Sequence, residues 1–250
     1  MSETTLLVVV ITLFTAALIL LLLRRLRAGR TFGLRPLPAY EALGRQMGLA
    51  VESGRRLHVT MGRAPLHSEA GPTSVAALQV LEHLAEAGSS SGIPPRATVG
   101  EGTLLPVAQD TLRRAYEAAG RGDVFHLREV EFLADQAFPI TYAAGVTTII
   151  HRDDVANNVA VGRFGSEMGI LAEAARRSRM MQVLGSDDPT AVALATAFSN
   201  NVLWGEELFA AGAYLDGDPA QVASLRAQDV LRWLVSLALL LVALWQLVVG

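Results

Sequence analysis

Arg96-Ala-Thr-Val-Gly100-Glu-Gly102 runs into a stretch from Leu104 to Ala119 that stops at Gly120. The first four residues read as a strand, the glycines as a tight turn, and the rest as a helix ended by glycine. The same unit recurs on either side. Upstream, Leu57-His-Val-Thr-Met61 alternates as a strand and stops at Gly62; helical periodicity follows from Ser74 to Ala87, ended by Gly88-Ser-Ser-Ser-Gly92. Downstream, Leu127 to Leu133 predicts a third strand, and Pro139 opens a helix over Ile140 to Ile150. The β-branched run Val146-Thr-Thr-Ile-Ile150 leaves a strand as the alternative there. Asn158 to Val161, Met181 to Leu184 and Asn201 to Trp204 read as further strands, with helices over Gly165 to Arg177, Pro189 to Phe198 and Glu206 to Tyr214. Such alternation predicts an α/β domain: a mostly parallel, Rossmann-like sheet flanked by helices.

This domain, residues 40–215, is framed by two apolar runs. Leu6 to Leu23 is unbroken by charge and ends in Arg24, Arg25, Arg27 and Arg30. At about 1.5 Å per residue it spans roughly 27 Å, close to the thickness of a hydrocarbon core. Residues 5–23 therefore predict a transmembrane helix, and 24–39 a basic collar and linker in which Arg35-Pro-Leu-Pro is extended. Tyr40, Leu43, Met47 and Val51 then recur at helical spacing. At the other end a juxtamembrane helix over 218–229, with Asp218 as cap and Pro219 in its first turn, leads into a second apolar run at 230–249. Met1-Ser-Glu-Thr-Thr lacks the positive region of a signal peptide, so the first helix is expected to stay attached.

Arg24, Arg25 and Arg27 after the first helix, and Arg226 and Arg232 at the start of the second, put both basic flanks on the domain's side. By the positive-inside rule the protein is expected in the cell (inner) membrane as a two-pass protein, with a cytoplasmic domain and both termini outside. Trp233 and Trp245 suit the two interfaces. The helix centres hold no ionisable residue, which argues against a transport pathway.

Composition excludes more. The 250 residues include no cysteine, which removes disulfides, thiolate nucleophiles and cysteine metal sites. There is no lysine among the 21 basic residues, which removes Schiff-base chemistry and the P-loop lysine. A net charge of −3 gives no support to nucleic-acid binding.

Five strands are predicted to finish in glycine, at Gly62, Gly100, Gly162, Gly185 and Gly205. Ligands of open parallel sheets bind beyond the carboxyl ends of the strands, so the candidate ligand-binding residues are Gly62, Gly100, Glu101, Gly102, Thr103, Gly162, Gly165, Ser166, Gly185, Ser186 and Asp187. The strand-to-helix turn itself needs glycine, and acids or serines at these positions also serve as helix caps. The resulting mouth reads as acidic, suited to a cation or an amine-bearing ligand, with Asp187 and Asp188 first among its contacts. Leu105 stands where the dinucleotide fingerprint has its third glycine. The histidines are scattered, His151 with Asp154 being the one acid–base arrangement, and no metal or catalytic residue and no cofactor is assigned.

Arg35-Pro-Leu-Pro-Ala-Tyr-Glu-Ala-Leu43, Ala50-Val-Glu-Ser-Gly-Arg-Arg-Leu-His58, Gln109-Asp-Thr-Leu-Arg-Arg-Ala-Tyr116, Gly205-Glu-Glu-Leu-Phe-Ala-Ala-Gly-Ala-Tyr214 and Ser224-Leu-Arg-Ala-Gln-Asp-Val-Leu-Arg-Trp233 together resemble a family of uncharacterised bacterial membrane proteins with an α/β domain between two terminal transmembrane helices. The resemblance covers nearly the whole chain. It implies the architecture and brings no activity.

With no nucleophile, metal set or phosphate loop in view, the expectation leans toward a non-enzymatic, membrane-anchored scaffold. Its cytoplasmic domain would oligomerise or join a membrane complex, with the lipid bilayer as its other partner. The alternative is a small-molecule sensor that uses the crevice at the glycine-ended strands.

Overall fold

The computed structural model describes residues 3–29, 33–152 and 155–249. The chain divides into two units, Pro36–Ala211 and the paired ends Met1–Arg35 with Gly212–Gly250. Arg30 and Asp154 lie outside the described residues.

In the first unit the elements run α2 (Pro38–Ser53), β1 (Arg56–Gly62), α3 (Gly71–Ser90), β2 (Arg96–Val99), α4 (Leu104–Ala118), β3 (Val130–Phe132), α5 (Pro139–Arg152), β4 (Val155–Arg163), α6 (Met168–Arg177), β5 (Gln182–Ser186), α7 (Pro189–Phe198) and β6 (Val202–Trp204). Among the described residues the sheet has six strands in the order β3-β2-β1-β4-β5-β6. All pairings are parallel. The α/β, Rossmann-like reading is thus the observed architecture. Its strand order reverses between β1 and β4, which register Val59 against Val159 and His58 against Asn158.

Helices on both faces leave strands such as β5 buried throughout, with no alternation of buried and exposed residues. On one face α5, α6 and α7 contribute Tyr142, Val146, Leu171 and Val192 to a core that takes Ala160, Leu184 and Val202 from the strands. On the other face α2 and α3 pack on β1 and β4. The segment Val146–Ile150 is helical despite its β-branching, because Val146 and Ile150 lie one turn apart and both enter this core. The predicted third strand begins later than expected. Leu127–Glu129 forms a 3₁₀ turn and only Val130–Phe132 pairs with β2. Gly205–Ala210 is likewise a 3₁₀ helix, followed by α8 (Ala211–Tyr214).

The second unit contains α1 (Glu3–Arg27) and α9 (Pro219–Val249), two helices long and apolar enough to cross a membrane. At 31 residues α9 is roughly 46 Å long, so it continues without a break from the Asp218 turn into its apolar run. Leu22 packs on Ala223 and Ala227, whose small side chains let the two helices approach. The hydroxyls of Thr12 and Thr15 donate to the carbonyls of Val8 and Ile11, each at 2.8 Å, so their polarity is satisfied within the helix.

Candidate functional site

The reversal of strand order brings two glycine–arginine pairs together, Gly62-Arg63 at the end of β1 and Gly162-Arg163 at the end of β4. A Cβ on Gly62 would lie 2.5 Å from the Arg163 carbonyl oxygen, and one on Gly162 would lie 2.1 Å from that of Met61. Here the two glycines serve the close approach of two strands. The space that a side chain would need is already filled by backbone.

Beyond that crossing lies a cavity of about 600 Å³. Its walls are the loop from Arg63 to Ala70, Gln136 and Ala137 after β3, and Arg163. A pocket of this size suits a small-molecule ligand, and its position is the one where doubly wound sheets bind theirs.

The charges are paired across elements. Arg63 donates through Nε (2.9 Å) and Nη2 (2.6 Å) to Oε1 of Glu167, which is only 1% exposed. Its Nη1 donates to the Gln136 carbonyl. Arg163 donates from Nη1 to Oδ2 of Asp187 at 2.9 Å, and Thr73 in the first turn of α3 donates to the same oxygen at 2.9 Å. The other Asp187 oxygen, Oδ1, is buried and has no hydrogen-bond partner among the described residues. Arg163 is half exposed, with further N–H groups turned to no described partner. Glu69 stands exposed on the rim.

The expected acidic mouth is therefore corrected. Glu167 and Asp187 are each spent on an arginine, and the two arginines were not among the expected contacts. Asp188 is a helix cap, its Oδ1 accepting from the backbone N–H of Thr190 (2.8 Å) and Ala191 (3.2 Å). Among the described residues, no group of three or more His, Cys, Asp or Glu is placed to hold a metal ion. His151 is exposed and bonds the Thr147 carbonyl of its own helix at 2.7 Å.

The remaining candidates fall around the cavity rather than in its lining. Gly100 makes room for Cγ of Arg63 and the ring of Tyr142, which would lie 2.4 and 2.9 Å from its Cβ. Glu101 accepts from Thr103 N–H at 2.7 Å, and Thr103 Oγ1 accepts from Leu66 N–H at 3.4 Å, tying the two strand-end loops together. Gly102 faces open space. Gly165 and Ser166 form the turn into α6, the Ser166 carbonyl accepting from Gly169 N–H at 3.2 Å. Gly185 packs under Leu203 and Leu208 inside the sheet. Ser186 Oγ accepts from Phe164 N–H at 3.2 Å and so joins β4 to β5.

The backbone donors at the start of α3 are occupied. Gly71 N–H donates to the Ser68 carbonyl (2.8 Å) and Thr73 N–H to that of Ala70 (3.1 Å), while Pro72 has none. A pyrophosphate cradle of the dinucleotide type is thus not formed here.

Under the cavity a buried polar chain crosses the sheet. His58 bonds Asn158 Oδ1 (2.8 Å) and Thr98 Oγ1 (3.0 Å), and Thr60 bonds the Tyr142 hydroxyl at 2.5 Å. Burial, offset in part by the hydrogen bonds with Thr60 and Thr98, pushes the Tyr142 hydroxyl up to about 12. A sequence signal for Arg63 and Arg163 existed in the repeated Gly-Arg after a predicted strand. Gly54-Arg55 and Gly120-Arg121 carry the same pair, so only the topology singles out these two.

No curated protein and no solved structure matches the chain. A family profile described as "Domain of unknown function (DUF6754)" matches residues 1–250. The two apolar helices around a six-stranded parallel α/β domain are therefore the architecture of a member of this family, to which the chain belongs.

Proposed function

We propose that this protein is a membrane-anchored ligand-binding domain whose site is the cavity at the β1–β4 reversal. The observation that carries the reading is the half-free Arg163 beside the unpartnered Asp187 Oδ1, at the sheet position where ligands bind. A half-exposed donor beside a buried, unpartnered acceptor suits a small polar ligand that bears an anionic group and a hydrogen-bond donor able to reach in. Arg163 receives the anion, and Asp187 with Glu69 receives the donors. Arg63 and Glu167 hold the walls.

The test is thermal denaturation of the full-length protein in detergent against amino acids, nucleotides, dicarboxylates and inorganic phosphate. A stabilising ligand is expected whose effect disappears in Arg163→Gln and is partly kept in Arg163→Lys. A ligand that stabilises both variants as well as the natural protein, or no stabilisation by any compound together with no small molecule released from the purified protein, overturns the site.

In this reading the domain faces the cytoplasm from the inner membrane; Arg24 and Arg25 after the first span, and Arg226 and Arg232 at the start of the second, support it. The absence of cysteine makes this easy to test. Single cysteines at Ser2 and at Ser91 are expected to react with an impermeant maleimide in whole cells and only after lysis, respectively; the reverse pattern overturns the topology.

A second reading, assembly through the domain surface, has its own support at the free edge of the sheet. β3 is an edge strand, with Leu127 64% exposed just before it and Phe132 45% exposed within it. A Leu127→Glu, Phe132→Glu variant is then expected to lower the oligomer mass seen by native mass spectrometry. A monomeric natural protein ends that reading.

A further inference from the structure

Helix α1 has two distinct faces. Leu18, Ile19, Leu22 and Leu26 meet Ala223 and Ala227 of α9. Elsewhere on its surface Ala17, Leu20, Leu21, Arg24, Arg25 and Ala28 line a groove of about 660 Å³. These six recur at intervals of three and four residues, so they form one continuous stripe. It is apolar for its first turn and cationic after that.

Among the described residues of this unit, none pairs with the cationic end. Glu3 is the one acidic residue of α1 and lies 21 positions before Arg24, roughly 31 Å along the helix. On α9, Asp229 is held by Arg226 at 3.4 Å; just before the helix Asp218 accepts from the Ala220 N–H at 3.0 Å, and Asp216 has an interaction of its own. The guanidinium groups of Arg24 and Arg25 have no hydrogen-bond or ion-pair partner among the described residues. Two unpaired forks at the end of an apolar groove match a phosphate joined to an acyl chain.

We propose that this stripe binds one anionic phospholipid. Arg24 and Arg25 hold the phosphate, and the acyl chain lies over Leu20 and Leu21 in the room that Ala17 leaves. The inference rests on α1 spanning the membrane. Ordinary collars attract any anionic surface, whereas a groove also selects by shape, and the experiment separates the two.

Full-length protein is purified in mild detergent with equal phosphatidylglycerol and phosphatidylcholine, and retained lipid is read by native mass spectrometry. Phosphatidylglycerol is expected to be retained at least tenfold over phosphatidylcholine. The preference should fall roughly five-fold for each of Arg24→Gln and Arg25→Gln. Ala17→Phe, at an exposed position, fills the groove with both charges intact and should cut retained phosphatidylglycerol several-fold. Equal retention of the two lipids by the natural protein overturns the proposal, as does full retention by Ala17→Phe, which would reduce the stripe to a diffuse charge. Release of the protein from membranes by alkaline carbonate without detergent would instead overturn the membrane span itself.

Discussion

Arg63 Nη2 lies 2.6 Å from Oε1 of Glu167, and that contact joins the end of β1 to the turn that opens α6. The carboxylate is 1% exposed, so its partner is its main source of compensation for leaving water. Glu167→Ala is expected to cost about 3 kcal/mol or more, because it strands the Arg63 guanidinium in a largely dry setting. Glu167→Gln keeps an acceptor and should cost less. Chemical denaturation of the full-length protein in detergent checks both; a loss below about 1 kcal/mol for Glu167→Ala would show that water replaces the carboxylate freely.

Asp187 and Asp188 are neighbours with separate tasks, and their alanine variants should behave differently. Asp188→Ala removes the cap of α7 and is expected to cost about 1 kcal/mol with ligand binding unchanged. Asp187→Ala releases both Arg163 and Thr73 and should weaken binding at the cavity at least tenfold. The measurement is a thermal shift with and without the stabilising ligand for each variant. Equal loss of binding in the two would remove the distinction.

The glycines also separate. Gly162 has φ of +152° and no room for a Cβ, so Gly162→Ala is expected to lose at least about 2 kcal/mol or fail to accumulate in folded form. Gly185→Ala pushes on Leu203 and Leu208 and should cost about 1–3 kcal/mol through overpacking, not through the cavity. Gly102→Ala meets nothing within 4 Å and should stay within about 0.5 kcal/mol of the natural protein. Melting temperatures of the three rank them.

Tyr142 makes stability fall at high pH. Its hydroxyl ionises near 10 in the unfolded chain and at about 12 in the folded one, chiefly because of burial. Between those values the folded state holds the proton that the unfolded state has released, so stability drops as pH rises from 10 toward 12. The loss is on the order of 2–3 kcal/mol for this group. Tyr142→Phe costs about 1 kcal/mol at neutral pH by leaving Thr60 without its partner, and it should flatten the decline. Denaturation at pH 8 and pH 11.5 for both proteins measures the difference; parallel declines would remove Tyr142 as its source.

Much of the architecture follows from local chemistry that a sequence carries openly. Strand-forming Leu57–Met61 and Arg96–Val99, the stop at Gly120 and the Asp188-Pro189 cap each act within a few residues, so they are readable one at a time. The two apolar helices are determined in the same way, since length and the lack of charge are properties of a segment alone. Leu127–Glu129 departed from expectation because an edge segment is shaped by what pairs with it, and only Val130–Phe132 finds β2.

Strand order belongs to no single segment. That β1 lies between β2 and β4 is decided by which helices cover which face, and it is this order that sets Gly62-Arg63 against Gly162-Arg163 across 100 positions of chain. Glu167 and Asp187 look like ordinary helix-start acids until an arginine from another strand reaches them. The sequence by itself determined most of the elements, the two long apolar helices and the absence of cysteine and lysine chemistry. Only the tertiary structure decided which charges meet and where the cavity opens, because hydrogen bonds and ion pairs act over a few ångströms in space whatever their separation along the chain.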